Sequence, residues 1–402
     1  MKPELLAPAG DMVSLHAAIQ GGADAAYFGV EGFNMRERAK NFQQKDIRKA
    51  VALCHQNGVK AYLALNIIIY EEELGLVKSI LESAKEGKVD AVILWDLACL
   101  RMARDLGIPI HLSTQASAAN TLAVKEYADM GVSRVVLARE CSLGQIKKIA
   151  TDCGIETEAF CHGALCVAES GRCLTSQFLH GKSANRGECL QPCRRSYEIR
   201  DPEEGHTLIL EGGFVMSPKD LCTMQFLDEL IETGVTSLKI EGRNRKPEYV
   251  LAVTKAYREG IDLHSQGKLT PGLKKALLER LEKVYNRGFS SGFYLGAPTP
   301  DDYCGSYGSQ SEVVKEYAGK VVNYFRKPMA AEILLQGSGL QVGDRIMVQG
   351  ETTGVREMDV LRLERDGKAV DKAIKGGTIA LFTGFTCRKN DLVYLLHARN
   401  AS

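Results

Sequence analysis

The sequence has almost no net charge: 51 Lys and Arg stand against 50 Asp and Glu, leaving +1 at neutral pH. Nothing global therefore selects for nucleic acid or an acidic membrane, and either partner would have to be met by a local patch. No apolar run approaches the ~18 residues of a membrane-spanning helix. The N-terminal stretch MKPELLAPAGDMVSLHAAIQ carries Pro and acidic residues early and lacks the basic start and apolar run of a signal peptide. The expected location is the cytoplasm, with no membrane partner. Common catalytic signatures are missing as well. There is no H-E-x-x-H for a metallopeptidase and no G-x-S-x-G elbow, and no G-x-G-x-x-G follows the first strand-like run.

What remains is a chain of 402 residues with 45% hydrophobic and 25% charged side chains, enough for one large domain and a small one. Over the first half, short β-rich runs ending in polar residues or Gly alternate with segments whose apolar residues recur every three or four positions. Strands are expected over 4–8, 25–30, 60–66, 91–96, 108–114, 134–140 and 157–162, and an eighth over 237–243. Gly58, Gly107 and Gly131 stand where left-handed helix caps are needed. Eight strand–helix units predict a TIM-like (β/α)8 barrel within 1–295, preferred to an open doubly wound sheet. An amphipathic helix is expected over 273–288.

A Cys-rich insertion over 161–211 separates strands 7 and 8. A linker over 296–312 leads to a β-rich tail over 313–402, where LQVGDRIMVQG resembles the small β-barrels of translation factors. That tail is expected to be a small β-barrel that contacts RNA or protein, or that only packs.

A barrel places its chemistry at the C-terminal strand ends. Those ends would carry Asn66, Asp96, Gln115, Glu140, His162, Lys239, Glu241 and Arg243. The two-residue spacing of Lys239 and Glu241 puts both on one strand face, where Lys239 would either meet a carboxylate or pair inward with Glu241.

Twelve cysteines are present, six of them between Cys161 and Cys222. In a reducing compartment such clustering points to metal or redox chemistry. Cys166-x6-Cys173-x15-Cys189-x3-Cys193 supplies four thiolates among Gly, Ser and Arg, a set suited to a 4Fe–4S cluster or, less well at a six-residue gap, to zinc. Cys161, on a strand, and Cys222, read as starting a helix, are the substitutes. Gly163, Gly171 and Gly187 would bring backbone amides near the sulfurs. Cys54, Cys99, Cys141 and Cys153 read as core. Residues 161–200 carry six Lys and Arg against three Glu, a patch for carboxylate or phosphate.

E-x-F-x2-G-A-L-C-x3-S-G-R-C, running from Glu158 to Cys173, resembles the signature of the peptidase U32 family. LLAPAG at Leu5, GADAAYFG at Gly22, SANRG-x-C at Ser183 and SLKIEGR at Ser237 match it in order. The resemblance extends to about residue 300, and N-R-G-x-C-x3-C-R is similar to its tRNA-modifying branch. It implies an enzyme of either of two kinds. One is a collagenase-like peptidase. The other is an oxygen-independent iron–sulfur hydroxylase of tRNA wobble uridine (giving 5-hydroxyuridine), of an rRNA cytidine, or of a quinone ring, with prephenate as the expected oxygen donor. The resemblance also implies tRNA and a paralogous protein as partners, and places the 4Fe–4S cluster on Cys166, Cys173, Cys189 and Cys193.

On that reading His162, Glu169, Glu241 and Lys239 are the catalytic candidates. Asn66, Gln115, Glu140, Arg172, Asn185, Arg186 and Arg243 are the substrate-binding candidates. Against proteolysis stands the absence of an activated thiol–base pair: Cys161 and His162 are adjacent on a strand and face opposite ways. A non-catalytic RNA-binding or scaffold protein with a structural metal is the remaining reading.

Overall fold

The computed structural model describes residues 2–37, 39–208, 214 and 216–399. Eight parallel strands close a barrel: β1 (Glu4–Pro8), β2 (Ala25–Gly29), β3 (Lys60–Ala64), β4 (Ala91–Leu94), β5 (Ile110–Leu112), β6 (Arg134–Val136), β7 (Glu156–Gly163) and β8 (Ser237–Ile240). Sequence neighbours are spatial neighbours, and β8 closes the ring by pairing with both β1 and β7.

The intervening helices are α1 (Met12–Gln20), α2 (Ile47–Gln56), α3 (Leu74–Glu86), α4 (Leu97–Asp105), α5 (Thr121–Asp129), α6 (Leu143–Asp152) and α7 (Leu227–Glu232). After β8 come α8 (Pro247–Ser265) and α9 (Pro271–Glu282). α2 buries Ile47, Ala50, Val51 and Cys54, and α3 buries Val77, Ile80, Leu81 and Ala84, one helical face each. Asp11, Asp96, Asn120 and Ser142 cap α1, α4, α5 and α6 with their side chains. Gly58, Gly107 and Gly131 have φ of +69°, +69° and +98°, the left-handed caps expected.

Several strands stop short of their expected ends, because the polar residues beyond them turn into caps and rim loops. Asp96 is one: its carboxylate accepts from the N–H groups of Ala98 and Cys99. The helix expected over 273–288 ends at Glu282, where Asn286 folds back and donates to the Glu282 and Val284 carbonyls.

The barrel interior holds Leu6, Tyr27, Tyr62, Ala64, Ala91 and Ile93 and a chain of buried charges. Arg134 bonds Glu4, Glu156 and Glu158, and Glu158, fully buried, accepts from Lys239 Nζ at 2.8 Å. Each charge there has a partner, as burial requires.

The insertion after β7 has structure of its own. It holds a short helix (Thr175–His180), tight turns at Ala184–Arg186 and Pro192–Arg194, and a small hairpin. Its expected end at Glu211 lies outside the described residues. Cys222 does not start a helix: Asp220–Cys222 is a strand running antiparallel to β7, with Cys222 opposite His162.

The C-terminal unit is an eight-stranded antiparallel sheet. Its strands are β9 (Val313–Phe325), β10 (Ala330–Leu335), β11 (Arg345–Gly350), β12 (Gly354–Asp359), β13 (Leu363–Arg365), β14 (Lys368–Val370), β15 (Thr378–Phe382) and β16 (Leu392–Ala398). The run MDVLRLE breaks between β12 and β13 instead of forming one strand. Ala318, Val321, Ile333, Ile346, Leu381 and Val393 form a separate apolar core. The unit is fastened to the barrel by Gln20, which bonds the backbone of Thr353 and Val355, and by Glu248, which bonds Lys315 and Gln349. Among the described residues no helix is long and apolar enough to cross a membrane.

Candidate functional site

At the C-terminal end of the strands the insertion folds over the barrel and encloses a cavity of about 450 Å³. Cys166, Cys173, Cys189 and Cys193 all line it. The Cys166 thiol donates to Cys173, which pushes Cys166 up and holds Cys173 down at about 5. Burial raises Cys193, which lies within electrostatic reach of Cys189 and Cys173. Among the described residues no three His, Cys, Asp or Glu side chains converge on a point as ligands of a single ion. Four thiols on one cavity are a donor set that could hold zinc or an iron–sulfur cluster. Cys222 is not among them; it is buried against Tyr257 and Cys161.

Two glycines let the insertion lie this close. Gly171 has φ +78°, and a Cβ there would fall 2.6 Å from Gln115 Cγ; Gly187 has φ +89°, and a Cβ there would strike the Asn34 carbonyl. Close approach of backbone to barrel rim requires glycine at both positions and equally at Gly163, which abuts the Glu241 carbonyl.

The rest of the cavity lining is rich in cations. Glu241 sits among Arg36 (3.0 Å), Arg139 (3.9 Å) and Arg243. Burial alone would raise its carboxyl, but the three guanidinium groups hold it down at about 2. It is therefore a fixed anion at neutral pH. Burial lowers Arg243 to about 10, and among the described residues its guanidinium makes one hydrogen bond, 2.9 Å to Asn34 Oδ1, while it lines the cavity. A second cluster forms around Asp220, with Arg287 at 3.2 Å and Arg245 at 3.5 Å; Arg245 also stacks on Tyr285 at 3.9 Å. Arg194 adds a buried cation nearby, bonded to Ser217 and to backbone carbonyls.

Lys239 reaches the cavity between Tyr27 and Phe160. It pairs with Glu158, not with Glu241 as strand parity suggested. The parity itself holds, since Lys239 and Glu241 both line the cavity; the buried Glu158 takes the ammonium and the arginines take Glu241.

Of the other expected site residues, Asn66, Gln115 and Asn185 line the cavity. Asn66 Oδ1 accepts from the Met35 amide, and Asn185 Oδ1 accepts from the Cys173 amide at 3.0 Å. Five do not belong there. His162 faces outward, packed on Tyr249, Tyr257 and Phe289, and burial lowers it to about 3, so it is neutral. Glu140 is exposed, because β6 ends at Val136 and the alternation assumed beyond it is lost; its neighbour Arg139 faces in. Glu169 and Arg172 pair with each other in solvent at 3.1 Å. Arg186 is a clasp: it forks onto Glu73, bonds the Ile68 carbonyl and lies over Tyr70.

Arg36, Arg139, Arg245 and Arg287 were not anticipated. Arg139 and Arg245 each stand within two residues of a candidate that was named, Glu140 and Arg243. Arg36 and Arg287 gave no local signal.

The family model of peptidase family U32 matches residues 10–303. Three relatives bracket the chain. A collagenase from Porphyromonas gingivalis is 39% identical, over 98% of each chain. A tRNA hydroxylation protein P1 from Bacillus subtilis is 35% identical, over 80% of this chain and 78% of its own. A 23S rRNA 5-hydroxycytidine synthase from Escherichia coli is 35% identical, over 88% of this chain and 54% of its own. With a family model covering more than two thirds of its length, this chain belongs to peptidase family U32.

Proposed function

We propose that this protein hydroxylates RNA without molecular oxygen, with wobble uridine of tRNA as substrate and 5-hydroxyuridine as product. A 4Fe–4S cluster would be held by Cys166, Cys173, Cys189 and Cys193. The supporting observation is the union of four cavity-lining thiols with a cationic wall in which, among the described residues, Glu241 is the one lining carboxylate and is held ionised at neutral pH. The relatives named for tRNA and rRNA hydroxylation support the same reading.

When bound, the cluster would supply one-electron chemistry in the cavity. The protein's own groups bind and orient. Arg243 and the Arg245–Arg287 pair stand as two anion sites on one cavity, matching a dicarboxylate such as prephenate as oxygen donor. Lys239, held by Glu158, presents a fixed positive charge between two aromatic faces. Asn66, Gln115 and Asn185 offer neutral donors and acceptors to a ring edge.

Glu241 does not move protons, since a carboxyl held near 2 is ionised throughout the working range; it fixes Arg36 and Arg139 in place. Anaerobic purification should yield iron and sulfide in about equal amounts. Nucleoside mass spectrometry of tRNA from a strain lacking the gene should show loss of hydroxylated uridine, and an unchanged profile removes the assignment.

A second reading, proteolysis, draws on the collagenase relative and on the low-lying Cys173 thiol. A thiolate nucleophile needs a neighbouring general acid to protonate the leaving amine, and among the described residues no histidine lines the cavity. Release of peptides from gelatin by wild type but not by Cys173→Ser would establish it.

A further inference from the structure

The C-terminal sheet carries a feature the cavity does not explain. Phe325, at the end of β9, is paired with Ala330 of β10, and Ala330 is paired with Phe382 of β15. Directly paired residues project from the same face of a sheet. The neighbouring set Tyr324, Ala331 and Leu381 faces the core, with Ala331 and Leu381 buried. Phe325 and Phe382 therefore stand outward, 44% and 46% exposed, with only a methyl group between them. Two strand spacings separate their backbones by about 10 Å. That spacing leaves room for one flat ring between the two side chains. Met329, 42% exposed, closes the hairpin end.

The turn beside the slot supplies Arg326 and Lys327, both exposed and neither in an ion pair among the described residues. Two free cations next to two aromatic faces favour a flat ring carried on a polyanion. The carboxylates of that face lie farther along the strands, at Glu332 and Glu364, and Glu364 is neutralised by Arg362 at 2.6 Å.

We propose that this end of the sheet binds single-stranded RNA, with an unpaired base stacked between Phe325 and Phe382 above Ala330 and the adjoining phosphates on Arg326 and Lys327. The proposal rests on RNA being the substrate, and it gives the C-terminal unit a positioning role apart from the cavity.

The test uses the full chain with a labelled oligouridylate of about ten nucleotides and an RNA duplex of equal length as probes. Phe325→Ala and Phe382→Ala should each weaken single-strand binding roughly tenfold and leave duplex binding unchanged. Phe325→Tyr, which keeps a ring, should restore it. Ala330→Leu should fill the slot and weaken binding equally at an unaltered unfolding temperature. Arg326→Ala with Lys327→Ala should lower the salt slope for the single strand by about 1.4.

Wild-type affinity in both Phe325→Ala and Ala330→Leu overturns the proposal. So does a dimer dispersed by those variants, because the patch would then be covered by a second copy. If the proposal fails while deletion of the gene still abolishes hydroxylated uridine, the surface alone is wrong; if the wild type binds neither probe and tRNA is unaltered, the RNA function falls with it.

Discussion

Replacing Glu241 with Gln removes the negative charge from the centre of three guanidinium groups. In the folded protein this carboxyl is held at about 2, against an ordinary value of 4.5. Its folded value is depressed, so the stability it contributes is present above the ordinary value and lost as pH falls through the folded one. At about 1.4 kcal/mol per pH unit, ionised Glu241 is worth about 3 kcal/mol at pH 7 and about 1 kcal/mol at pH 3. Gln mimics the protonated acid without its titration. The expected result in urea denaturation is thus a variant about 3 kcal/mol less stable at pH 7, a deficit that narrows to about 1 kcal/mol near pH 3. A deficit of the same size at both pH values would show that lost packing, not lost charge, is responsible, and the account of Glu241 as a fixed counter-ion would fail. The same account predicts no inflection from this residue in a pH–rate profile above pH 4.

Serine at Cys166, Cys173, Cys189 or Cys193 should each lower bound iron and sulfide in anaerobically prepared protein, whereas Cys222→Ser should leave both unchanged. His162→Phe should retain activity at neutral pH, because the ring it replaces is neutral and packed away from the cavity; loss of turnover in a folded variant would return His162 to the mechanism. Arg186→Ala should cost about 1–3 kcal/mol, since the fork onto Glu73 is partly shielded from water, and should expose the insertion to limited proteolysis before the barrel. Gly171→Ala places a side chain at φ +78° against Gln115, a change expected to cost about 1–3 kcal/mol in stability and to reduce iron content.

The alternation of strands and helices was legible because it is written in local periodicity. Apolar spacing, capping residues and closing glycines act over a few positions and do not depend on what lies across the barrel. The cysteine-rich insertion was legible for a similar reason: four thiols in a polar, Gly-rich segment have little use as packing, wherever that segment folds.

Tertiary structure alone decided which way each charge faces and with what it pairs. Strand parity holds only where a strand continues. It failed at Glu140, where β6 had already ended; at Lys239 it held, but the ammonium pairs with Glu158 while arginines take Glu241. Arg186 reads as a substrate clamp until Glu73, 113 residues away, is seen to occupy it. Phe325 and Phe382 become neighbours only through the two ladders that flank β10. Burial and Coulomb attraction depend on distance in space, and chain closure sets that distance, so residue types were readable from the sequence and their partners were not.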